Sequence, residues 1–313
     1  MQTILGSGGS IGTELAKALK QYTADIKLVS RNPVRVNDTD TLHAVDLTDA
    51  MQVEEAVEGS EICYVTLGFE YNTRVWKERW LPFMTTVVET CIKHKSKLVF
   101  FDNVYAIGGN HVRHITEDSP LSPSSKKGEV RAAVDKLILD RMEHKGLQAI
   151  IARAPDFFGP VKKQNSLLLN LVYDNLAKGK AAQWFCNADV PHTMGYTTDL
   201  ARGTAMLGNS EDAYNQVWNL PVDMNSLTGR EWAKLFAEEM NAPDKLRVVP
   251  LWGLRLLGLF VPILREMPEM MYQFDRPYHF DCTKFNSKFE YTAVSNREAA
   301  RQTIKLLANK IKS

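Results

Sequence analysis

The sequence predicts an α/β fold built on one doubly wound parallel sheet. Residues 1–5 form a short apolar strand that leads directly into a glycine-rich turn, and a helical pattern follows the turn. Strand and helix patterns then alternate through the first half of the 313-residue chain, as in βαβ units whose helices cover both faces of a sheet. Together these observations predict a Rossmann-type fold.

The hydrophobic pattern defines the predicted elements. Strands are expected at residues 1–5, 26–30, 42–46, 61–66, 97–101 and 147–152. Between the fourth and fifth strands, apolar side chains recur every three or four residues from Trp76 to Ile92, which is typical of a buried helical face. A second long helix is predicted at 126–145. Later in the chain, Thr228–Glu231 has the pattern of a capping box.

The alternation becomes irregular after residue 160, which predicts two domains. Residues 1–160 are expected to form the sheet domain and residues 161–313 mainly a smaller lobe that could exchange a strand with the sheet. The apolar stretch Leu251–Leu264 is interrupted by Arg255, two glycines and a proline, and is too short to span a bilayer. A buried helix or an apolar lid is expected there. Core or pocket-wall positions are expected for Trp184, Trp218, Trp232 and Trp252.

Charge and cysteine content exclude several classes of protein. The 38 basic and 37 acidic residues nearly balance, which argues against a nucleic-acid partner. The four cysteines form no Cys-x-x-Cys pair, which indicates a reduced, cytoplasmic protein. His111 and His114 lie in a loop without a matching set of cysteines or carboxylates, so we predict no metal site. No membrane partner is expected.

The glycine turn predicts a loop that binds a dinucleotide phosphate. In the Gly-x-x-Gly-x-x-Gly spacing, Gly6 permits a tight turn and Gly9 permits close approach of a pyrophosphate. Gly12 permits close packing of helix on strand. Ser10 and Ile11 begin the helix, whose first N–H groups can bind an anion. The alternative is a purely structural turn.

Arg31, at the end of the second strand, predicts which dinucleotide binds. An acidic residue near this position would hold the ribose hydroxyls of NAD, whereas this chain has Ser30-Arg31-Asn32. A guanidinium can bind a 2′-phosphate through two hydrogen bonds. We therefore predict NADP, with NAD as the other possibility and a solvated arginine as the structural alternative.

Several segments resemble the extended short-chain dehydrogenase/reductase superfamily in its epimerase/dehydratase-like form. They are the glycine turn, Asp46-Leu47, Thr66-Leu67-Gly68, Arg153–Pro160 and Met194–Ala201. The resemblance implies that Asp46 and Leu47 contact adenine. It also implies that Leu67 and Gly68 pass beside the cofactor and that Pro155 lies near the nicotinamide. A homodimer through the helices at 75–95 and 126–145 is a further expectation from the superfamily.

The catalytic positions of the superfamily are altered in this chain. Members carry a Ser or Thr after the fifth strand, where Asn103 aligns, and a Tyr-x-x-x-Lys pair, where Lys127 and Arg131 align. A guanidinium keeps its charge at neutral pH, so Arg131 can hold the cofactor ribose but cannot donate a proton. Two candidate acid/base residues remain. Lys127 could replace the tyrosine or be a solvated lysine, and Tyr105 could act from the adjacent loop or be a packed tyrosine.

Two further residues are predicted to face substrate. The resemblance places Asp156 and His192 on the substrate side, with a helix cap and a surface histidine as the plain alternatives. The predicted function is an NAD(P)-dependent oxidoreductase or epimerase/dehydratase-like enzyme, which transfers a hydride on a small polar or sugar-like molecule. Because the usual catalytic pair is absent, a non-catalytic NADP sensor is the alternative.

Overall fold

The computed structural model describes residues 1–160 and 166–312. The first five residues of the predicted lobe, 161–165, lie outside the described residues, as does residue 313. The strands are β1 Gln2–Leu5, β2 Ile26–Ser30, β3 Thr41–Ala44, β4 Ile62–Val65, β5 Lys97–Asn103, β6 Ala149–Ala154, β7 Phe157–Phe158, β8 Ala182–Phe185, β9 Gly195–Tyr196, β10 Gln216–Asn219 and β11 Leu246–Val249. The helices are α1 Ser10–Leu19, α2 Ala50–Val57, α3 Thr73–His94, α4 Lys126–His144, α5 Asp174–Ala177, α6 Thr197–Gly208, α7 Gly229–Glu239, α8 Leu251–Leu257, α9 Pro262–Arg265, α10 Thr283–Phe289 and α11 Asn296–Lys312.

Seven strands form the main sheet in the order β10-β6-β5-β4-β1-β2-β3. Every neighbouring pair is parallel. The chain order reverses between β1 and β4, which is the arrangement that leaves a crevice for a ligand at the carboxyl ends of these strands. The predicted fold class is therefore confirmed, and the six predicted strands correspond to β1–β6.

Helices cover the sheet because both of its faces are apolar. Leu5, Val29 and Val65 belong to one buried cluster with side chains of α2, α3 and α4. Side chains alternate across a strand, so Tyr64 faces the other side, where Gly208 of α6 packs against its ring. A Cβ at Gly208 would lie 2.2 Å from the Tyr64 hydroxyl.

The chain forms two compact units, each made of separate segments. The first comprises residues 1–106, 127–154 and 200–220, and the second comprises the described parts of 107–126, 155–199 and 221–313. This division differs from the predicted boundary at residue 160. The chain returns to the first unit because β10 pairs with β6 and becomes the edge of the main sheet.

The second unit contains two small parallel pairs, β8 with β11 and β7 with β9. The capping box is confirmed: the Thr228 side chain accepts from the Glu231 N–H, and the Glu231 carboxylate accepts from the Thr228 N–H. α7 then buries Trp232 and Phe236, which both contact the ring of Phe158. This aromatic contact joins α7 to β7 in the core of the second unit.

The segment at 251–264 forms two short helices instead of one buried helix. The prediction of a buried helix is wrong, because most of its apolar side chains are exposed. Trp184, Trp218 and Trp232 are buried as predicted, whereas Trp252 is 71% exposed. None of the helices in the described part of the chain is both long and apolar enough to cross a membrane.

The contacts around Gly12 and Gly8 predict which of these glycines can be replaced without loss of stability. A Cβ at Gly12 would lie 2.7 Å from the Gly6 carbonyl oxygen and 2.8 Å from the Cα of Ser7, whereas one at Gly8 would meet only the Ser30 hydroxyl, at 3.8 Å. We expect Gly12→Ala to lower the free energy of unfolding by about 1–3 kcal/mol, the usual effect of overpacking. Chemical denaturation measures this change.

Gly8→Ala is the matched control for Gly12→Ala. It adds the same methyl group to the same turn, and we expect it to change stability by less than about 1 kcal/mol. Equal effects of the two substitutions would contradict the packing argument.

Candidate functional site

The glycine turn packs against the segment that follows β4. Gly6 has φ +96°, and a Cβ there would lie 2.6 Å from both the N and the Cα of Leu67. Only glycine fits this combination of positive φ and close backbone contact. Gly9 precedes α1 with extended backbone, and no side chain caps the helix. The turn thus directs the N-terminus of a ten-residue helix toward the carboxyl ends of β1 and β4.

Two buried hydroxyl groups next to this turn have no hydrogen-bond partner among the described residues. They are the Oγ atoms of Ser7, within the turn, and Ser30, the last residue of β2. A buried polar atom without a partner is costly, and a polar ligand bound at the turn would supply one. The glycine backbone and these two hydroxyls therefore fit a dinucleotide phosphate and ribose.

Arg31 and Asp46 lie exposed at the ends of neighbouring strands. Asp46 Oδ1 accepts hydrogen bonds from the Thr48 N–H at 3.0 Å and the Thr48 hydroxyl at 2.9 Å. These bonds lower the pKa of Asp46, and the positive charge of Arg31 contributes further in the same direction. Leu47, in contrast, is buried. The structure thus brings together the two charged residues predicted for the adenosine half of a dinucleotide.

Asn103 and Tyr105 occupy the turn that follows β5. The side-chain oxygen of Asn103 accepts the Tyr105 N–H at 2.9 Å. The half-buried ring of Tyr105 stacks on Trp76, with 6.0 Å between ring centroids and an interplanar angle of 19°. Trp76 also meets the ring of Tyr71 edge to face. The Tyr105 ring is therefore held by packing while part of its surface stays exposed.

Lys127 is fully buried in the first turn of α4. Its Nζ donates to the Thr73 hydroxyl at 3.0 Å and lies 4.6 Å from the centroid of the Tyr71 ring. The alternative of a solvated lysine is therefore wrong. Thr73 and Trp76 are three residues apart and share a face of α3, so Lys127 and Tyr105 both contact the first turn of α3.

Arg131 lies one turn further along α4 and is also buried. Its guanidinium donates from Nε to Asp102 at 2.6 Å and forms an ion pair with the same carboxylate. It also lies over the rings of Trp80 and Phe100, at 4.2 and 4.7 Å from their centroids. These contacts hold α4 against β5. The predicted contact of Arg131 with a cofactor ribose stays a prediction.

A second ion pair lies beside the first. Arg153 of β6 contacts Asp135 of α4 at 3.3 Å, and both side chains are buried. Burial, together with the nearby charge of Asp102, raises the pKa of Asp135 well above its usual range. Two carboxylates and two guanidinium groups thus form one buried cluster between α4 and the strands β5 and β6.

The second unit contains the two residues predicted to face substrate. Pro155 and Asp156 follow β6 directly, and Asp156 Oδ2 lies 3.0 Å from Nε2 of His192. The other ring nitrogen, Nδ1, lies 3.1 Å from the Gln273 carbonyl oxygen. His192 is buried between the rings of Phe274 and Tyr278, so the alternative of a surface histidine is wrong.

The geometry of this pair determines where its protons lie. A carbonyl oxygen only accepts, so Nδ1 of His192 carries a proton. One further proton is needed between Nε2 and the Asp156 carboxylate for these two atoms to form a hydrogen bond. Asp156 is the more exposed partner, at 17% against 2% for the His192 side chain. The pair therefore shares one proton between Nε2 and Oδ2, and Asp156 is its exposed member.

Thr73, Tyr71 and Asp102 contact the candidate residues Lys127 and Arg131, and sequence reasoning did not identify them. Asp102 directly precedes the predicted Asn103, and an acidic residue at the end of an apolar strand was an available signal. Thr73 and Tyr71 precede the apolar stripe of α3 without any recognisable pattern. No three His, Cys, Asp or Glu side chains in residues 1–160 and 166–312 lie close enough together to hold a metal ion.

Fold and glycine turn together define an α/β protein of the dinucleotide-binding type. The profile of the NAD dependent epimerase/dehydratase family matches residues 3–220. The chain therefore belongs to this family, which confirms the resemblance predicted from the sequence. No curated protein matches the chain by sequence.

Three solved structures of similar fold are a dehydratase and two epimerases named for nucleotide sugars. A double mutant of dTDP-glucose 4,6-dehydratase from Streptomyces venezuelae, with NAD and DAU bound, has a TM-score of 0.80 and 17% identity over 100% of this chain and 98% of that chain. UDP-glucose 4-epimerase from Thermus thermophilus, in complex with NAD, has a TM-score of 0.77 and 16% identity over 98% and 99%. UDP-glucuronic acid 4-epimerase from Bacillus cereus, also in complex with NAD, has a TM-score of 0.77 and 14% identity over 100% of this chain and 98% of that chain.

The raised pKa of Asp135 predicts a pH-dependent stability. The folded state holds this proton more tightly than the unfolded state, so the associated stability is present at low pH and is lost as pH rises through the raised pKa. We expect the free energy of unfolding of the native protein to fall, relative to Asp135→Asn, as the pH rises above the ordinary aspartate pKa of about 4.

Urea denaturation at several pH values checks this expectation. Asp140→Asn is the control, because Asp140 lies exposed on the same helix. Parallel pH profiles for the native protein and Asp135→Asn would contradict the expected titration of Asp135.

Proposed function

We propose that this protein is an NADP-dependent enzyme that oxidises or reduces a small polar or sugar-like substrate. The observation that supports the cofactor most directly is the glycine turn with the unpartnered hydroxyls of Ser7 and Ser30. Similar turns direct helix N–H groups at a pyrophosphate. The sugar-like substrate is suggested by the enzymes of similar fold, which act on nucleotide sugars.

The preference for NADP depends on Arg31. It is exposed at the end of β2, where its guanidinium is available to a 2′-phosphate. The carboxylate at the neighbouring strand end, Asp46, already accepts two hydrogen bonds from Thr48. A bidentate guanidinium contact distinguishes NADP from NAD because only NADP carries the 2′-phosphate.

The bound nicotinamide would supply or accept a hydride, and the chain must then move a proton and stabilise charge on the substrate oxygen. We assign proton transfer to the Tyr105 hydroxyl, because packing on Trp76 holds its ring and leaves it partly exposed. The ammonium of Lys127, held by Thr73, would stabilise negative charge from a preorganised position. Asn103 keeps the turn that carries Tyr105 in place.

The Asp156–His192 pair is proposed to bind substrate. Its exchangeable proton lies between Oδ2 and Nε2, and Asp156 is the member with exposed surface. Burial raises the pKa of Tyr278 well above its usual value, so the phenol that stacks on His192 stays neutral. Because the shared proton can lie on either atom, the Asp156–His192 pair can accept a hydrogen bond from a substrate hydroxyl or donate one to it.

A non-catalytic NADP sensor is the second candidate function. It is favoured by Arg131, whose guanidinium is engaged with Asp102 beneath two aromatic rings, where the family pattern has a lysine. A sensor would bind NADP tightly and leave Tyr105 and Lys127 without a catalytic role. Turnover measurements separate the two functions.

Arg31→Ala should weaken NADPH binding about ten- to hundredfold, the usual value of a hydrogen-bonded charge contact. NADH affinity should change little, because NADH has no 2′-phosphate. Titration of nicotinamide fluorescence measures both affinities. Arg31→Lys is the control that keeps the charge but loses the bidentate geometry, and its NADPH affinity should be intermediate. Equal losses for NADPH and NADH would exclude this role of Arg31.

Tyr105→Phe and Lys127→Met should each lower kcat about a hundredfold or more, because each removes a group assigned to proton transfer or charge stabilisation. The assay follows nicotinamide oxidation with a panel of sugar nucleotides, aldehydes and ketones. Matched controls are Tyr22→Phe and Lys126→Met, which change an exposed tyrosine and the exposed lysine next to Lys127.

The controls should keep native turnover. Unchanged kcat in both Tyr105→Phe and Lys127→Met would show that the site assignment is wrong. Tight NADPH binding without turnover on any member of the panel would favour the sensor.

A further inference from the structure

Residues 251–265 form an apolar hairpin in the second unit. It consists of α8, the turn 258–261 and α9. Seven of its apolar side chains are exposed, namely Trp252, Leu256, Leu257, Leu259, Phe260, Val261 and Ile263. Phe260 and Leu259, at the tip, are 79% and 63% exposed. Contiguous exposed apolar surface of this kind marks an interaction site.

The hairpin is a formed element whose turn is held by hydrogen bonds. The N–H groups of Gly258, Leu259, Phe260 and Val261 all donate to carbonyl oxygens within α8. Arg265 donates to the carbonyl oxygens of Gly258 at 2.6 Å and Leu259 at 2.9 Å, which closes the turn. These bonds lower the cost of placing the turn in an apolar medium, where each unsatisfied backbone group costs several kcal/mol.

All the charged side chains within residues 245–265 are cationic. Residues 245–265 contain Lys245, Arg247, Arg255 and Arg265 and no aspartate or glutamate. Arg247 and Arg255 are exposed. Acidic residues resume only outside this segment, at Asp244 and Glu266.

We propose that the apolar hairpin inserts into the surface of a membrane that contains anionic lipids. An element with tryptophan, phenylalanine and leucine on one surface and flanking arginines is suited to the interface between headgroups and acyl chains. Anionic lipid attracts the flanking cations. A second copy of the chain is a poorer occupant, because pairing of two hairpins would bring like charges together. The prediction that no membrane takes part is replaced by this proposal, which concerns the membrane surface and not a membrane span.

Co-sedimentation of the full chain with vesicles tests the proposal. Vesicles of phosphatidylcholine with roughly one-third phosphatidylglycerol should bind the protein at least about fivefold more strongly than vesicles of phosphatidylcholine alone. Salt at roughly 0.5 M should reduce this difference, because it screens the cations. Absence of binding to the anionic vesicles at low salt would overturn the proposal.

Substitutions locate the contact on the hairpin. Phe260→Glu should weaken binding at least about tenfold, since it places a charge at the tip. Met51→Glu is the matched control, because Met51 is an apolar side chain of the first unit with the same 79% exposure. Equal losses in Phe260→Glu and Met51→Glu would contradict the assignment to the hairpin.

A charge variant covers the case in which Phe260→Glu does not fold. Arg247→Gln combined with Arg255→Gln keeps the apolar tip and should weaken binding to anionic vesicles about tenfold, without altering binding to phosphatidylcholine. Analytical ultracentrifugation without lipid tests the competing occupant. A native dimer that becomes monomeric in Phe260→Glu would assign the hairpin to self-association and overturn the lipid proposal.

Discussion

The buried ion pairs between α4 and the central strands are the constraint on which the candidate site depends. Arg131 pairs with Asp102 of β5, and Asp135 pairs with Arg153 of β6. Loss of Asp102 would leave the Arg131 guanidinium buried without compensation, which typically costs about 3–5 kcal/mol. The pairs therefore set the register of α4 against the sheet, and through it the position of Lys127 one turn before Arg131.

The part of the structure that follows from local pattern was predictable. β1, the glycine turn and α1 are adjacent in sequence. Gly6 and Gly12 are required by close contacts within this segment and with the residues that follow β4. β1–β6 follow from short apolar runs between turns. The capping box of α7 is likewise a local pattern with a local cause.

The rest depends on which side chains the folded chain brings together. Lys127 lies near Lys126 and Arg131 in sequence, so a solvated lysine and an acid/base residue both stayed open. Its burial depends on contacts with Thr73 and Tyr71 of a distant segment. A strand exchanged into the main sheet was expected, but the hydrophobic pattern did not identify β10 as that strand. Trp252 belongs to an apolar run that is typical of a buried helix. Its exposure depends on which other segments pack against that run, and the local sequence pattern does not indicate this.

The proton shared by Asp156 and His192 bears on their proposed role in binding substrate. With Nδ1 protonated toward Gln273, the pair is electrically neutral whether the shared proton resides on nitrogen or on oxygen. Movement of that proton changes the dipole of the Asp156–His192 pair and leaves its net charge at zero. In the proposed substrate site, such a neutral pair would discriminate little by charge attraction and would favour groups that both donate and accept hydrogen bonds, as hydroxyls do.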